Sequence, residues 1–403
     1  MKFSKLSQLF LVSTLGLLVA TLLTSCDIVT IDYVFLADSA GSGSSSAGQI
    51  QTFNADQSTG ALRLGAASVP SGGTNPVSMT VTSDFANLYV ANAGNNSVVH
   101  FALSGSGVLT QKDTVTAVST PVAIAANAAN TYLYVISGTT SATLTEYSLS
   151  SGAIGAVVAQ VKLTVPGYAG DTIIPTGLTV LANNNALFIS AYDQSAYNPG
   201  GVTTSTANPG WIFGLSVGSG GALAASAGSP FKAGVKPSAI ASDPTNRFVY
   251  ATDFASNQLI GYTVQSGNIL SFLINGPFRT GNEPAAITID PRGKYIYIAN
   301  ELDSSVTPYT IDLATGTPSS IVNVTGSQTD STDTQPVAIV VDSSVGRFVY
   351  TANHLGNSIS GFELDPNTGA LSVTTATPYP AGAGPTSVIS VPHNNHSLEQ
   401  TTP

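Results

Sequence analysis

Polar and ionisable side chains recur at one position of a repeated apolar pattern, and their types could carry chemistry. They end an apolar run or follow it directly, and the set comprises Asp38, Asn92, Ser137, Tyr192, Asp253, Asn300, Glu301, Asn353 and His354. Two cations, Lys236 and Arg279, lie in segments that lead into later runs. A carboxylate or imidazole can activate water as a general base, and cations or amides can hold a developing negative charge. We therefore predict a binding mouth at these positions. The ligand-binding candidates are Asp38, Asn92, Tyr192, Asp253, Arg279, Asn300, Asn353 and His354.

An alternative is open for the Asn and Asp members of this set. Such residues at strand ends commonly hydrogen-bond to the backbone of their own turn. Glu301 and His354 are less easily explained in that way. If the binding interpretation is correct, four side chains converge around one central pocket: Asp38, Asp253, Glu301 and His354.

The polar positions belong to a repeat of about 50 residues that occurs seven times. Its clearest copy, Asp290–Asp312, has a tight turn at Asp290–Gly293, an apolar run at Lys294–Asn300 and a second run at Val306–Ile311. The aromatic residue within the first run repeats as Phe35, Tyr89, Tyr134, Phe188, Tyr250, Tyr297 and Tyr350. Four short strands per unit at this period are typical of propeller blades. We predict an all-β, seven-bladed β-propeller with four antiparallel strands per blade.

The two ends of the repeat indicate how the ring closes. First strands begin at a proline in six units, namely Pro76, Pro121, Pro175, Pro237, Pro284 and Pro336. No such segment precedes Val34, but one occurs near the C-terminus at Pro385–Ser390. We predict that this C-terminal strand pairs with the N-terminal strand at Tyr33–Ala37 and closes the first blade.

Antiparallel pairing assigns the loops to two faces. The start of a first strand lies beside the end of the second strand, so the polar positions share a face with the segments that lead into first strands. Insertions fall on this face, at Ser39–Gly48, Pro166–Ile174, Asp193–Gly210 and Asn323–Gln335. Loops on a rigid scaffold commonly carry function, and we predict that Asp193–Gly210, between Tyr192 and Trp211, is a lid or ligand contact. Ser39–Gly48 fits a functional loop and tolerated padding equally well.

The first residues have the pattern of a targeting segment. Lys2 and Lys5 precede an apolar run at Leu9–Leu23, which is short for a membrane span. The run leads into Cys26, the single cysteine of the chain, and resembles the lipobox of bacterial lipoproteins. We predict a signal peptide over residues 1–25, a lipidated Cys26 with a tether over 26–32, the propeller over 33–392 and a disordered tail over 393–403. Two acyl chains would anchor the protein in the bacterial cell envelope, outside the cytoplasm.

Composition and charge narrow the possible partners. Charged residues make up 8% of the 403 residues, against about 25% in ordinary globular proteins. Without Lys2 and Lys5, the chain has 10 basic and 22 acidic residues, a formal charge of −12. This balance and the lack of a basic cluster argue against nucleic acid. The histidine spacing indicates no zinc site, and no phosphate loop or nucleophile motif occurs. We expect a monomer without metal or cofactor.

The chain resembles the seven-bladed lactonase propellers, the family of bacterial 6-phosphogluconolactonase and the carboxymuconate-lactonizing enzyme. The resemblance covers essentially the whole mature chain. It is strongest at Asp290–Asp312, where P-x-G-K-Y-x-Y-x-x-N-E-L is close to the family's pattern, and weaker at Asp243–Asp253 and Asp342–Asn353. The resemblance implies the propeller fold and lactone hydrolysis, with Glu301 at the place of the family's glutamate at the mouth.

Other functional positions of the family differ in this chain. Where the family carries Arg-His entering the blade of Glu301, this chain has Ala285-Ala286. The paired histidines of the preceding blade fall near Lys236 and Ser238. The resemblance therefore supports the fold and leaves the catalytic set incomplete.

Two functions of different classes follow. The first is a lipid-anchored, extracytoplasmic binding or interaction module with degenerate catalytic positions, which takes a small molecule or a protein at its mouth. The second is a hydrolase of a sugar lactone, of the 6-phosphogluconolactonase type, in which Glu301 is the catalytic residue. A purely structural envelope role is a third possibility and predicts a mouth without a defined pocket.

Overall fold

A computed structural model describes residues 29–39, 47–117, 119–166, 172–196 and 209–393, which form seven β-sheets. The predicted signal peptide, Cys26 and residues 394–403 lie outside these ranges, as do parts of three predicted insertions, Ser39–Gly48, Pro166–Ile174 and Asp193–Gly210. Among the described residues, no helix has the length and apolar character needed to cross a membrane.

Each sheet is one blade, and its strands are called first to fourth from the propeller axis outward. In blade order 1 to 7, the first strands are Pro385–Pro392, Pro76–Val81, Pro121–Ala126, Ile173–Val180, Pro237–Ser242, Pro284–Ile289 and Pro336–Val341. The second strands are Thr30–Asp38, Asn87–Asn92, Tyr132–Ser137, Ala186–Asp193, Phe248–Asp253, Tyr295–Asn300 and Phe348–Asn353. The third strands are Ala47–Asp56, Ser97–Leu103, Thr143–Ser150, Gly210–Val217, Gln258–Gln265, Ser305–Ile311 and Ser358–Leu364.

The fourth strand is continuous in only two blades, at Leu109–Thr116 in blade 2 and Ala153–Lys162 in blade 3. In the other five blades, two short pieces pair with the third strand. These pieces are Leu62–Leu64 with Val69–Thr74, Leu223–Ala225 with Phe231–Lys232, Ile269–Phe272 with Phe278–Arg279, Pro318–Ser320 with Asp330–Ser331, and Leu371–Val373 with Tyr379–Pro380. One three-residue 3₁₀ turn, Ser219–Gly221, is the helical segment of the described chain.

The first strands form a closed ring around the axis. Each contacts the first strands of the two neighbouring blades, and the last of them, Pro336–Val341, contacts Pro385–Pro392, which in turn contacts Pro76–Val81. The predicted all-β, seven-bladed propeller is therefore confirmed. One strand start differs from the prediction, because the first strand of blade 4 begins at Ile173, two residues before Pro175.

Ring closure joins the two ends of the chain within blade 1. Pro385–Pro392 pairs antiparallel with Thr30–Asp38, in a register that includes Val34 opposite Ser390 and Ala37 opposite Ser387. The predicted closing strand is therefore confirmed. Pairing continues beyond the strand, since the His393 N–H donates to the Ile31 carbonyl at 2.8 Å.

A buried carboxyl pair lies at the seam between blades 7 and 1. Asp32 is fully buried and accepts a hydrogen bond from the Ser344 hydroxyl at 2.6 Å. Burial and the nearby carboxylate of Asp342 raise the pKa of Asp32 well above its ordinary value. Because the pKa of Asp32 is raised in the folded state, the contribution of Asp32 to the free energy of unfolding is complete below its unfolded pKa. This contribution is lost as the pH rises through the raised pKa.

The predicted aromatic column holds neighbouring blades together. All seven members are 0% exposed. Four tyrosine hydroxyls donate to the carbonyl of a glycine in the third-to-fourth-strand turn of the next blade. These pairs are Tyr89 with Gly152 (2.7 Å), Tyr250 with Gly316 (2.6 Å), Tyr297 with Gly369 (2.9 Å) and Tyr350 with Gly60 (2.8 Å). The turn requires glycine, because Gly60 has φ of 64° and a Cβ there would lie 2.3 Å from the Phe348 ring.

We expect Tyr350→Phe to lower the free energy of unfolding by about 1–3 kcal/mol, because the Gly60 carbonyl loses a buried donor while the packing of the ring is kept. Chemical denaturation of the purified protein measures this change. Tyr132→Phe is the matched control, since the hydroxyl of half-buried Tyr132 makes no hydrogen bond within the described chain. Equal stability of the two variants would contradict a stabilising inter-blade bond.

Candidate functional site

A repeated backbone pairing builds the mouth. The N–H of the residue that follows the second strand donates to the carbonyl of the residue that precedes the first strand of the same blade. These pairs are Ser39 with Gly384, Ala93 with Asn75, Gly138 with Thr120, Phe254 with Lys236, Glu301 with Glu283 and His354 with Gln335, at 2.7–3.2 Å. In blade 4 the strands are longer, and Tyr192 pairs with Ile174 inside the sheet. The polar positions thus share one face.

The predicted ring members that end a second strand are buried inside their own blades. Asp253 is the clearest case: its carboxylate accepts the N–H groups of Val235 (2.8 Å) and Lys236 (2.9 Å) and an amide hydrogen of Gln258 (3.2 Å). It therefore holds the segment that leads into the first strand of blade 5. A Cβ on Gly234 would lie 2.1 Å from the carboxylate, so the loop passes directly over it.

The three asparagines at the same position are also engaged within their blades. Asn92 accepts a hydrogen bond from the Ser71 hydroxyl at 2.7 Å. The amide nitrogen of Asn300 donates to Thr307 Oγ1 at 2.9 Å, and that of Asn353 donates to Ser360 Oγ at 2.9 Å. These bonds go to hydroxyl groups of neighbouring strands rather than to the backbone of the asparagine's own turn, and a direct ligand role for the asparagines stays a prediction.

Asp38 occupies the equivalent position in blade 1 and is 1% exposed. A Cβ on Gly382 would lie 2.2 Å from its carboxylate, so this loop passes over Asp38 as the Gly234 loop passes over Asp253. Convergence of Asp38 and Asp253 with Glu301 and His354 on one pocket stays a prediction.

Glu301 and His354 lie on neighbouring blades and are joined through Gln335. The Gln335 amide donates to Glu301 Oε1 at 2.5 Å, and the Gln335 carbonyl accepts the His354 N–H at 2.7 Å. Both ionisable side chains are half-buried. Gln335 thus contacts the side chain of Glu301 and the backbone of His354, and contact between the Glu301 and His354 side chains stays a prediction. Sequence reasoning missed Gln335 as a site residue, although its place before Pro336, equivalent to Lys236 before Pro237, was a usable signal.

The ring of His354 has a defined orientation. His354 Nδ1 lies 2.9 Å from the Pro385 carbonyl oxygen of blade 1. Because a carbonyl oxygen only accepts, Nδ1 carries the proton, and Nε2 of the neutral ring has the lone pair. Nε2 makes no hydrogen bond within the described chain. This arrangement is suited to a general base.

The residues that precede the first strands of blades 6 and 7 have a left-handed backbone conformation. Glu283 and Gln335 have φ of 54° and 62°, although neither is glycine. A non-glycine residue in this region costs on the order of 1–3 kcal/mol, and such residues cluster at functional sites. Their carbonyls accept the backbone N–H groups of Glu301 and His354. The equivalent residue of blade 2, Asn75, has φ of 50° and makes the same bond, so this conformation is a feature of the repeat.

Two buried amide oxygens near the pair accept no hydrogen bond from the described residues, namely Gln335 Oε1 and Asn300 Oδ1. Buried acceptors normally have a donor. Asp333 lies in the loop that leads into the first strand of blade 7. Hydrogen bonds lower the pKa of its carboxyl group, and the bond from the Ser358 hydroxyl contributes most.

The two cationic candidates, Lys236 and Arg279, belong to blade 5. Lys236 Nζ lies 4.5 Å from the centre of the Phe254 ring and 5.7 Å from that of Tyr192. Arg279 is exposed in the fourth strand of blade 5. Ala285 and Ala286 lie in the first strand of blade 6, and their methyl side chains cannot form hydrogen bonds. Within the described ranges, no three His, Cys, Asp or Glu side chains are grouped as metal ligands.

Comparison with known proteins agrees with the fold and with the repeat. The family model of lactonases with a seven-bladed β-propeller matches residues 104–386, and the chain belongs to this family. Its fold is similar to that of a proposed 6-phosphogluconolactonase from Bacteroides uniformis, with a TM-score of 0.72 and 18% identity over 90% of this chain and 100% of that one. It is also similar to a periplasmic gluconolactonase from Pseudomonas aeruginosa, with a TM-score of 0.70 and 18% identity over 90% of this chain and 99% of that one. No match was found among curated proteins.

Proposed function

We propose that this propeller binds a hydroxylated lactone at the part of the mouth formed by blades 6 and 7, and hydrolyses it with His354 as the general base. The observation that carries the proposal is the orientation of His354, whose Nδ1–H is held by the Pro385 carbonyl while Nε2 is left with its lone pair. Membership of the lactonase family supports the choice of substrate class.

The proposed reaction needs one water molecule and one proton carrier. His354 Nε2 takes a proton from water, and the hydroxide oxygen forms a bond with the lactone carbonyl carbon. The tetrahedral intermediate then breaks its ring C–O bond, and the imidazolium returns the proton to the departing alkoxide oxygen. The product is an open-chain hydroxy acid. Glu301 accepts a hydrogen bond from the Gln335 amide, and this bond fixes the backbone segment whose carbonyl holds the His354 N–H. In the proposed complex, the Glu301 carboxylate also accepts a hydrogen bond from a substrate hydroxyl.

The second candidate is a binding module without turnover. Ala285 and Ala286 favour it, because the first strand of blade 6 lacks the Arg and His that the lactonase resemblance would place there. Stabilising the oxyanion commonly requires such donors, and losing one costs on the order of a hundredfold or more in rate. A ligand would then bind through the same hydrogen-bonding groups and leave unchanged.

We further propose that the chain works outside the cytoplasm on a lipid anchor. The support is the sequence pattern at residues 1–26, which ends in the single cysteine, Cys26. Incorporation of radiolabelled palmitate into the full chain, and its loss in Cys26→Ser, tests this proposal. A wild-type chain that takes up no label would contradict it.

We expect His354→Gln to lower any lactonase rate by about 10²–10⁴-fold, because the general base is lost while the shape of the side chain is roughly kept. The measurement follows acid release from a panel of aldonolactones, with and without a phosphate group. His393→Gln is the matched control, since His393 follows the far end of the first strand of blade 1 and lies against Tyr33.

Two other outcomes separate the candidates. The binding module would be favoured if lactones bind but are hydrolysed no faster than in buffer alone, and if Glu301→Gln and His354→Gln each weaken the binding. A protein that neither binds nor hydrolyses any lactone of the panel would contradict the proposed lactone site.

A further inference from the structure

Two clefts meet at Arg279 on the mouth face of blades 5 and 6. Their volumes are ≈ 470 Å³ and ≈ 330 Å³, and both are lined by Arg279, Thr280 and Asn282. The larger cleft adds Asp303 and Gln328, and the smaller adds Phe278. Such space is sufficient for a sugar-sized ligand.

The backbone around Arg279 is held firmly while its side chain faces solvent. Arg279 pairs with Gln258 of the third strand, and its carbonyl accepts the Tyr309 hydroxyl. The ion pairs formed within the described chain are His100 with Asp113, Arg292 with Asp290 and Arg347 with Glu363. The Arg279 guanidinium belongs to none of them, although the chain as a whole is strongly acidic. It is therefore available for an oxyanion, which a guanidinium can bind through two parallel hydrogen bonds.

Another part of the cleft lining is a hydrogen-bonded pair of exposed residues, Asn282 and Asp303. The Asp303 carboxylate accepts the Asn282 N–H at 2.6 Å and its side-chain amide at 2.8 Å. The side-chain oxygen of Asn282, Oδ1, in turn accepts a hydrogen bond from the Asn257 side-chain amide at 3.0 Å. The Asp303 carboxylate thus accepts hydrogen bonds and lines the same cleft as Arg279 without forming an ion pair with it.

This mixed lining selects a particular ligand chemistry. A simple anion would gain from Arg279 but would be repelled by Asp303, and a neutral polyol would leave Arg279 unused. A hydroxylated acid satisfies both, since its oxyanion binds the guanidinium and its hydroxyls donate to Asp303. We propose that the Arg279 cleft is a binding site for a hydroxylated acid, whose oxyanion is a carboxylate or a phosphate.

The cleft borders the candidate site. Asp303 lies two residues after Glu301, and Asn282 precedes Glu283, whose carbonyl holds the Glu301 N–H at 2.8 Å. The ligand need not be the substrate of the mouth, so this inference does not depend on turnover. The hydroxy acid formed from a lactone does belong to the class that the cleft fits.

The test uses unreactive probes, so it is independent of hydrolysis. Calorimetric titration of the purified protein compares gluconate, glycerol 3-phosphate and the uncharged polyol sorbitol. We expect an acid to bind more tightly than sorbitol, and Arg279→Gln to weaken that binding by about tenfold or more. Arg63→Gln, which changes an exposed arginine of blade 1 outside both clefts, is the matched control and should leave binding unchanged.

Each outcome has a definite meaning. Tighter binding of gluconate assigns a carboxylate ligand, and tighter binding of glycerol 3-phosphate assigns a phosphate ligand. Asp303→Asn should weaken binding of the hydroxylated acids while leaving inorganic phosphate unaffected or stronger. Equal affinities for acids and sorbitol, or an Arg279→Gln variant that binds as the wild type does, would overturn the proposal.

Discussion

Deletion of the chain from Pro385 onward is expected to abolish cooperative folding of the propeller. The deletion removes the whole first strand of blade 1, which pairs with the second strand from Asp32 opposite Pro392 to Asp38 opposite Pro385. It also removes Val388 and Val391, which are 5% and 2% exposed. Neighbouring blades lose their contact with this strand on both sides. A domain has only about 5–15 kcal/mol of net stability. Because each blade is stabilised by its neighbours, losing the strand that joins blades 7, 1 and 2 is expected to exceed this margin.

Thermal unfolding followed by circular dichroism measures this effect, with size-exclusion chromatography to detect aggregation. The matched control is deletion of residues 394–403, which leaves every observed strand pair in place because the first strand of blade 1 ends at Pro392. A protein truncated before Pro385 that unfolds in one sharp transition at the wild-type temperature would show that the ring is stable without its closing strand.

Glu146→Gln is expected to stabilise the protein by roughly 3 kcal/mol above pH 7 and to have little effect below pH 4.5. Glu146 is 0% exposed in the third strand of blade 3, and neither carboxyl oxygen accepts a hydrogen bond from the described residues. Burial raises its pKa from 4.5 to about 7, and the nearby Tyr134 hydroxyl offsets only part of that rise. A tenfold change in proton affinity is equivalent to about 1.36 kcal/mol, so ionising Glu146 in the folded protein carries the expected cost.

The location of Glu146 explains why this carboxyl is not compensated. In blades 2, 5, 6 and 7, the second-strand tyrosine bonds to a turn glycine of the next blade. In blade 3, the Tyr134 hydroxyl makes no such bond, and a Cβ on the turn glycine Gly221 would lie 2.7 Å from Glu146 Oε1. The carboxyl therefore lies at the blade 3–4 interface, where the tyrosine of the aromatic column bonds to no turn glycine. Tyr134 and Tyr132 are the titratable groups that face it.

The sign of the pH dependence follows from the raised pKa. The folded state binds the Glu146 proton more tightly than the unfolded chain does, so this part of the stability is complete below pH 4.5 and is lost as the pH rises to about 7. Denaturant unfolding at pH 4.5 and pH 8 should show the gain of Glu146→Gln at the higher pH alone. Glu363→Gln is the control, because Glu363 is partly exposed and paired with Arg347 at 2.5 Å, and it should give no gain. Equal stability of wild type and Glu146→Gln at pH 8 would contradict an ionised buried carboxyl.

Much of the fold could be read from local patterns. The aromatic column from Phe35 to Tyr350 was predicted because each member lies in an apolar run that only a strand buried on both faces explains. The closing strand at Pro385–Ser390 was predicted because one repeat lacked a first strand and the C-terminus had a spare one. The broken fourth strands of five blades were not predicted, since two- and three-residue pieces have no periodicity to detect.

The site was harder to predict because a strand-end Asp or Asn looks the same in sequence whether it faces a ligand or a backbone N–H. Asp253 illustrates this, as its carboxylate holds Val235 and Lys236, which precede it by 18 and 17 residues. Gln335 is a second example, because it joins Glu301, 34 residues earlier, to His354.

The sequence by itself determined the number of blades, their strand order and the way the two ends meet, because repeated local patterns encode burial directly. Only the tertiary structure decided which polar residues are used inside the blades and which, like His354 Nε2 and the Arg279 guanidinium, have hydrogen-bonding groups without a partner in the described chain. The physical reason is that a buried polar group needs a hydrogen-bond partner, and closure of the ring supplies partners from distant parts of the chain. The pattern within a single repeat does not identify these partners.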